Sequence, residues 1–464
     1  MNRESIIRKT YARFGRGVMV AAFLMAVGLQ SQLLAGELKC PQVFGSHMVL
    51  QRQIKVPIWG WAKPGGEVKV SFNGQTLATK ADTDGAWRVS LDPMQASAKG
   101  QALTVSSGDE TLTLDNVLIG EVWLASGQSN MAYGLRGEML KSLPAPHIRM
   151  VRFANGKQCM AKVAQADVEC QWGDLQKGSS AVASFFAMKL QKELKVPVGI
   201  ISASWGGTRI QTWTPTKQTE AKKSRYNAMI HPFVGMAMRG AIWYQGESNV
   251  GAGLGYEKAL QTLSSGWREI WGLGDFPFYF VQIAPFGRYS GEKLGRLWEG
   301  QMRASRSIMN CGMVVTTDVG DLKNIHPPRK KEVGERLALW ALAKDYPSTT
   351  LSTGGKAADL VYSGPLYKGF EVKGNKMIIS FDYAEGGLAC KGEKLTDIYV
   401  KGEGETEFVP ASVAIDGGTL VVSHPEGKMP VAVRMGWNKN AQPNLMNKAG
   451  LMASPFRTDS DKNN

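Results

Sequence analysis

Between residues 36 and 115, apolar and polar positions alternate over short stretches, as in Glu67-Val-Lys-Val-Ser-Phe72. A period of two puts one face of a strand in a core and the other in water. Pro64-Gly-Gly66, Asn73-Gly74 and Asp84-Gly85 separate these stretches and are turn formers. The pattern predicts a small antiparallel β domain. From 116 to 347 it changes: continuous apolar runs alternate with segments of helical period. Residues 328 to 344 place Val333, Leu337, Trp340 and Leu342 on one inward face. Apolar strands alternating with helices predict a parallel sheet covered on both sides, an α/β domain. From 348 to 464 β patterning returns, in Met377-Ile-Ile-Ser-Phe381 and Val431-Ala-Val-Arg434.

The first 35 residues do not fit this scheme. Arg3, Arg8, Lys9, Arg13 and Arg16 precede an apolar stretch from Val18 to Leu29, followed by Leu33-Leu-Ala35. A basic region, a short apolar core and small residues describe a cleavable signal peptide, too short for a membrane span. Export to the periplasm or beyond is the expectation, with no membrane anchor. The remaining chain holds five cysteines, an odd number for an exported protein. Cys159 and Cys170 are placed to bridge a loop, and no cysteine pair has metal-ligand spacing. Without the leader's five basic residues and Glu4, the formal charge of +15 becomes +11. No basic run interleaved with aromatics accompanies it, which argues against nucleic acid. Arg329-Lys-Lys331 and Lys222-Lys223 read as solvated faces.

Four segments of the middle region share one form, an apolar strand running into small or polar residues. Val122 to Ala125 ends in Ser126-Gly-Gln and delivers Ser129 to a strand-to-helix turn. Such a turn exposes a serine hydroxyl and offers its backbone N–H to developing negative charge. Val198-Gly-Ile-Ile-Ser-Ala-Ser-Trp-Gly-Gly-Thr-Arg209 brings Gly206, where no side chain blocks approach to the backbone, and Arg209. Gly240-Ala-Ile-Trp-Tyr-Gln-Gly-Glu-Ser-Asn249 places Gln245, Glu247 and Asn249 at a strand end. The fourth segment, Met313 to Pro328, carries His326. In a parallel sheet, strand ends of one polarity share one edge, and ligands bind there. That edge gathers a nucleophile, donors for an oxyanion and a base. His326 is preferred as the base over His47, His147, His231 and His424, which lie in β-like, loop or pre-strand segments.

Gly127-Gln-Ser-Asn-Met131, Ser204-Trp-Gly-Gly-Thr208, Trp243-Tyr-Gln-Gly-Glu-Ser-Asn249 and Asn324-Ile-His-Pro327 resemble the blocks of sialate O-acetylesterases, within the SGNH hydrolases. Met48-Val-Leu-Gln-Arg52 and Ala453-Ser-Pro-Phe-Arg-Thr-Asp459 extend the likeness to both ends of the mature chain. The resemblance implies a three-layer α/β/α domain with a flavodoxin-like parallel sheet at 116–347. β-Rich regions at 36–115 and 348–464 would flank it. It implies Ser129 as nucleophile, Gly206 as oxyanion donor and His326 as base, with no metal and no cofactor. The substrate it implies is O-acetylated sialic acid, free or glycan-linked. This chain departs from the wider pattern at Lys323, where SGNH hydrolases carry an aspartate. The third member of the triad is then Asp321, Glu247 or a backbone carbonyl near Lys323 or Asn324, with Asp318 farther upstream. The Gln245 amide is favoured as the further oxyanion donor. The stretch between Trp213 and Tyr226 is also shorter than the family pattern. Trp205, Trp213 and Trp243 would stack on a sugar or fill the core. The alternatives are an esterase of another acetylated polysaccharide such as xylan, and a non-catalytic carbohydrate-binding protein.

Overall fold

The computed structural model describes residues 37–153, 169–217, 224–438 and 440–459. The expected leader, Cys159 and Lys222-Lys223 lie outside them. Strand β1, Glu110–Gly127, joins the first two regions in one piece of backbone. Its first half alternates in burial and pairs antiparallel with Ser97–Ser107. From Val117 to Gly127 every residue is buried, and this half is the central strand of the parallel sheet. The boundary expected at 115/116 therefore falls inside a strand. The change of periodicity marks where β1 passes between two environments without breaking.

The sheet continues with β2 (Ile148–Phe153), β3 (Cys170–Asp174), β4 (Val198–Ser204), β5 (Gly240–Tyr244), β6 (Phe278–Val281) and β7 (Cys311–Val314). Its order is β7-β6-β5-β1-β4-β2-β3. Neighbours run parallel except β2 and β3. The register sets Gly127 opposite both Ser204 and Tyr244, so β1, β4 and β5 end at one level. The helices are α1 (Ser129–Ala132), α2 (Ala181–Leu194), α3 (Tyr256–Trp271), α4 (Gly291–Ser307) and α5 (Lys330–Asp345). α2 packs on α5, and α3 packs on α4. Gly334 lets α5 approach α2 closely: a Cβ there would stand 2.5 Å from the Val182 carbonyl oxygen. Val333, Leu337, Trp340 and Leu342 are buried, as the helical period predicts.

The N-terminal hairpin Glu67–Phe72/Gln75–Lys80 turns at Asn73-Gly74, both with positive φ (50° and 77°). That is the left-handed turn which matches strand twist, and Asn-Gly favours it. The C-terminal region has its own core, including Met377, Ile379, Leu420, Val422 and Val433. It is fastened to the α/β domain by Arg457 on Glu299 (2.8 Å) and by Gln282 on Ser454 (2.9 Å). Trp213 and Trp243 are fully buried core residues, and Trp243 meets Trp213 and Trp267 edge-on. Trp205 is half-buried under the Arg225 guanidinium, 4.6 Å from its ring centre. The Cys170 thiol, the described half of the expected Cys159–Cys170 bridge, donates to the Gln42 carbonyl. Among the described residues no helix is long and apolar enough to cross a membrane.

Candidate active site

Gly127 has a φ of 142°, and a Cβ there would stand 2.1 Å from the Tyr244 carbonyl oxygen. Only glycine allows β1 to turn this close to β5. The Gln128 N–H donates to that same carbonyl (3.0 Å), and Ser129 then opens α1. Gly206 follows β4 on the neighbouring loop. A Cβ placed on it would meet the Ser129 Cβ at 3.4 Å. The Ser129 N–H, at the first helical position, has no acceptor within the helix. Among the described residues the Gly206 N–H has no acceptor either.

The His326 loop is tied to this turn by one side chain. Asn130 Nδ2 donates to the Ile325 carbonyl (3.0 Å), immediately before His326, and to Glu247 Oε1 (2.5 Å). Its Oδ1 accepts from Lys330 (2.5 Å). One buried amide thus joins the segments after β1, β5 and β7. The His326 N–H bonds the Asn324 side chain (2.9 Å). Neither the Ser129 hydroxyl nor the His326 ring has a hydrogen-bond partner among the described residues. Catalytic bonds commonly close only with substrate in place. Burial first, then the charges of Lys330 and Arg136, hold the imidazole below its ordinary pKa.

The carboxylates proposed to orient His326 are engaged elsewhere. Asp321 Oδ1 accepts the Lys323 N–H (2.8 Å), closing its own turn. Asp318 forms a two-armed ion pair with Arg336 (2.8 Å each). Glu247 bonds Asn130, and its Oε2 is buried without a partner. Burial raises the Glu247 pKa, and the Asn130 bond only partly offsets this.

Gln245 does not fit the oxyanion role expected of it. Its amide nitrogen is fully buried and faces Gln128 Oε1 (3.0 Å), the Thr208 carbonyl (3.0 Å) and Asn249 Oδ1 (2.8 Å). Two N–H groups are already shared among three acceptors. Asn249 Oδ1 also accepts the Ile210 N–H (3.0 Å). Gln245 and Asn249 therefore hold the loop that carries Gly206, and Arg209 projects from that loop into solvent. His47 bonds Asn116, His231 packs edge-on against Tyr226, and His424 lies beside Glu405.

The sequence reading missed Asn130 and Lys330. Asn130 adjoins Ser129, which was a usable signal. Lys330 was read as part of a solvated basic run, yet it is 1% exposed. Successive helical residues point about 100° apart, so the middle of three cations turns inward.

Residues 119–343 match a family described as carbohydrate esterases, sialic acid-specific acetylesterases. A solved carbohydrate acetylesterase from Xanthomonas citri is 31% identical. The match covers 91% of this chain and 99% of that one, with a TM-score of 0.83. The chain belongs to the sialate O-acetylesterase family. The human and Pongo abelii sialate O-acetylesterases are each 28% identical to it, over 84% of this chain and 86% of theirs. It is a carboxylic ester hydrolase, an esterase of acetylated sugars.

Proposed function

We propose that the chain removes O-acetyl groups from sialic acids through a Ser129–His326 acetyl-enzyme route, and that it is exported behind a cleaved leader. The observation that carries the mechanism is the Asn130 bond to the Ile325 carbonyl. It brings the base loop to a nucleophile turn already faced by the Gly206 backbone. His326 takes the Ser129 proton as the hydroxyl oxygen attacks the acetyl carbonyl. The Ser129 and Gly206 N–H groups receive the oxyanion. The sugar oxygen leaves with the proton from His326, and water, activated by the same ring, releases acetate. A carbonyl or a substrate group, rather than an aspartate, orients the imidazole in this reading.

The rim supports an acidic sugar. Arg136 is exposed, stacks 3.9 Å over Tyr133, and its charge reaches His326. Arg209 is exposed on the Gly206 loop. Such charge attracts carboxylated sugars. Acetate release from O-acetylated sialic acid, compared with acetylated xylan, tests the substrate. A higher kcat/KM on xylan would overturn it. Ser129→Ala and His326→Ala should each lower kcat by roughly 10³-fold or more, and the double variant scarcely further, because the pair acts as a unit. Near-normal turnover by Ser129→Ala would remove the mechanism.

A further inference from the structure

Lys330 is a charged group at the site to which acyl transfer assigns no task. It opens α5, its ammonium bonds Asn130 Oδ1, and it lies 5.1 Å and 5.4 Å from the ring centres of Tyr133 and Tyr244. Among the described residues no carboxylate stands within 4.0 Å of it. Glu247 holds the other end of the Asn130 amide, so the lysine meets a neutral partner in place of an acid. A buried ammonium without a contacting counter-ion is costly, and a methionine would fill the same volume without that penalty. Burial pulls Lys330 down to about 7, against the attraction of Glu247 and with the repulsion of Arg136.

We propose that Lys330 is a positioning residue for acyl transfer: through Asn130 it clamps the nucleophile turn to the base loop, and it sets a positive charge beside that loop. This rests on the Ser129–His326 reading. The charged groups around His326 come from four elements. Lys330, from α5, bonds the Asn130 amide that holds the carbonyl just before His326, and the charge of Arg136 reaches the ring from the segment after α1. On its own loop, Asp321 is turned to the Lys323 N–H, Lys323 is exposed, and Arg329 is paired with Glu332 (2.8 Å). Asp318 is held by Arg336. Glu247, after β5, is turned to Asn130, so the nearby acids are engaged elsewhere while two cations remain. A base that resists protonation stays competent in more acidic solution, and removing a neighbouring positive charge reverses this.

The test is the pH profile of kcat/KM on a chromogenic acetyl ester for the wild type, Lys330→Gln and Lys330→Met. Glutamine keeps a donor for Asn130 without the charge. Its acid limb should move up by about half to one pH unit, with the plateau only a few-fold lower. Methionine removes donor and charge, so the same limb shift should come with a loss of roughly ten-fold in kcat. An unmoved limb in both variants overturns the electrostatic role, and an undiminished plateau in Lys330→Met overturns the clamp. If the lysine variants do not fold, NMR titration of His326 in Ser129→Ala decides for the charge. A midpoint at or above the ordinary value of about 6.5 overturns it. Asn130→Ala then decides for the clamp, which is overturned if kcat does not fall. An active Ser129→Ala would sink the mechanism beneath both. An inactive one with an unmoved limb sinks only the lysine's role.

Discussion

Two carboxylates are buried close to the central strand, one at each end, and their surroundings are opposite. Glu121, within β1, is wholly enclosed and bonds Arg52 (2.5 Å), Arg239 (3.0 Å) and Gln51 (3.0 Å). Glu247, after β5, bonds a neutral amide, and one of its oxygens has no partner. Burial works against the charge in both. At Glu121 the Arg239, Gln51 and Arg52 contacts overcome it and the pKa is lowered. At Glu247 the Asn130 bond does not, and the pKa is raised. The N-terminal end of the sheet is a completed structural junction, joining the first β region to the catalytic domain. The C-terminal end leaves polar groups incompletely paired, as sites that act on charge commonly do.

The largest effect that tests this contrast is Glu121→Gln. It leaves two arginines without their counter-ion, and should cost about 3 kcal/mol of stability, the low end because both arginines reach solvent. Denaturant melts measure that loss, and kcat per folded molecule should hold. A comparable fall in kcat would mean the two ends are coupled.

Gln245→Ala comes next. It leaves the Thr208 carbonyl and Asn249 Oδ1 short of a donor, at about 2 kcal/mol. Stability and kcat should fall together, because the Gly206 loop loses its support. A kcat lowered by roughly 10²–10³ at unchanged melting temperature would return Gln245 to the oxyanion hole.

Glu247→Gln should act on stability in the opposite sense to Glu121→Gln. A lowered carboxyl pKa gives stability that is present above the ordinary carboxylate range and is lost as pH falls through the folded value. A raised one gives stability that is present below that range and is lost as pH rises. The glutamine at 247 should therefore match the wild type near pH 4 and be the more stable of the two at pH 7. Melting temperatures across that range decide it. A difference from the wild type that is the same at both ends of the range would show that Glu247 is charged at no cost.

The smallest effect is expected at Asp321→Asn, a few-fold in kcat, since its carboxylate caps the Lys323 N–H and an amide oxygen can do the same. A carboxylate bonded to the imidazole would lose about 10⁴ on that exchange. A loss of that size with an unchanged melt would restore a full triad.

Much of the architecture was legible along the chain. The alternation at Glu67 to Phe72, the Asn73-Gly74 turn and the inward face of α5 all rest on local stereochemistry, and these stand in the structure. The convergence of Ser129, Gly206 and the His326 loop was legible too, because parallel strands share one edge. Gln245 and Lys330 were misread for a common reason. Each is a polar residue at a strand or helix end, where the sequence shows the donor or cation but not its partners. Gln128, Thr208 and Asn249 had to assemble around Gln245 before its amide could be seen to have no N–H to spare.

By itself, then, the sequence determined the period of each element, the turns between them and the family's chemistry, since these depend on neighbours within a few residues. Tertiary structure alone decided which polar groups are satisfied and which are left charged, unpaired or shared. Those outcomes depend on atoms up to 200 residues apart, as Lys330 and Asn130 are. A buried group's electrostatics is set by what encloses it, and no stretch of chain contains its own enclosure.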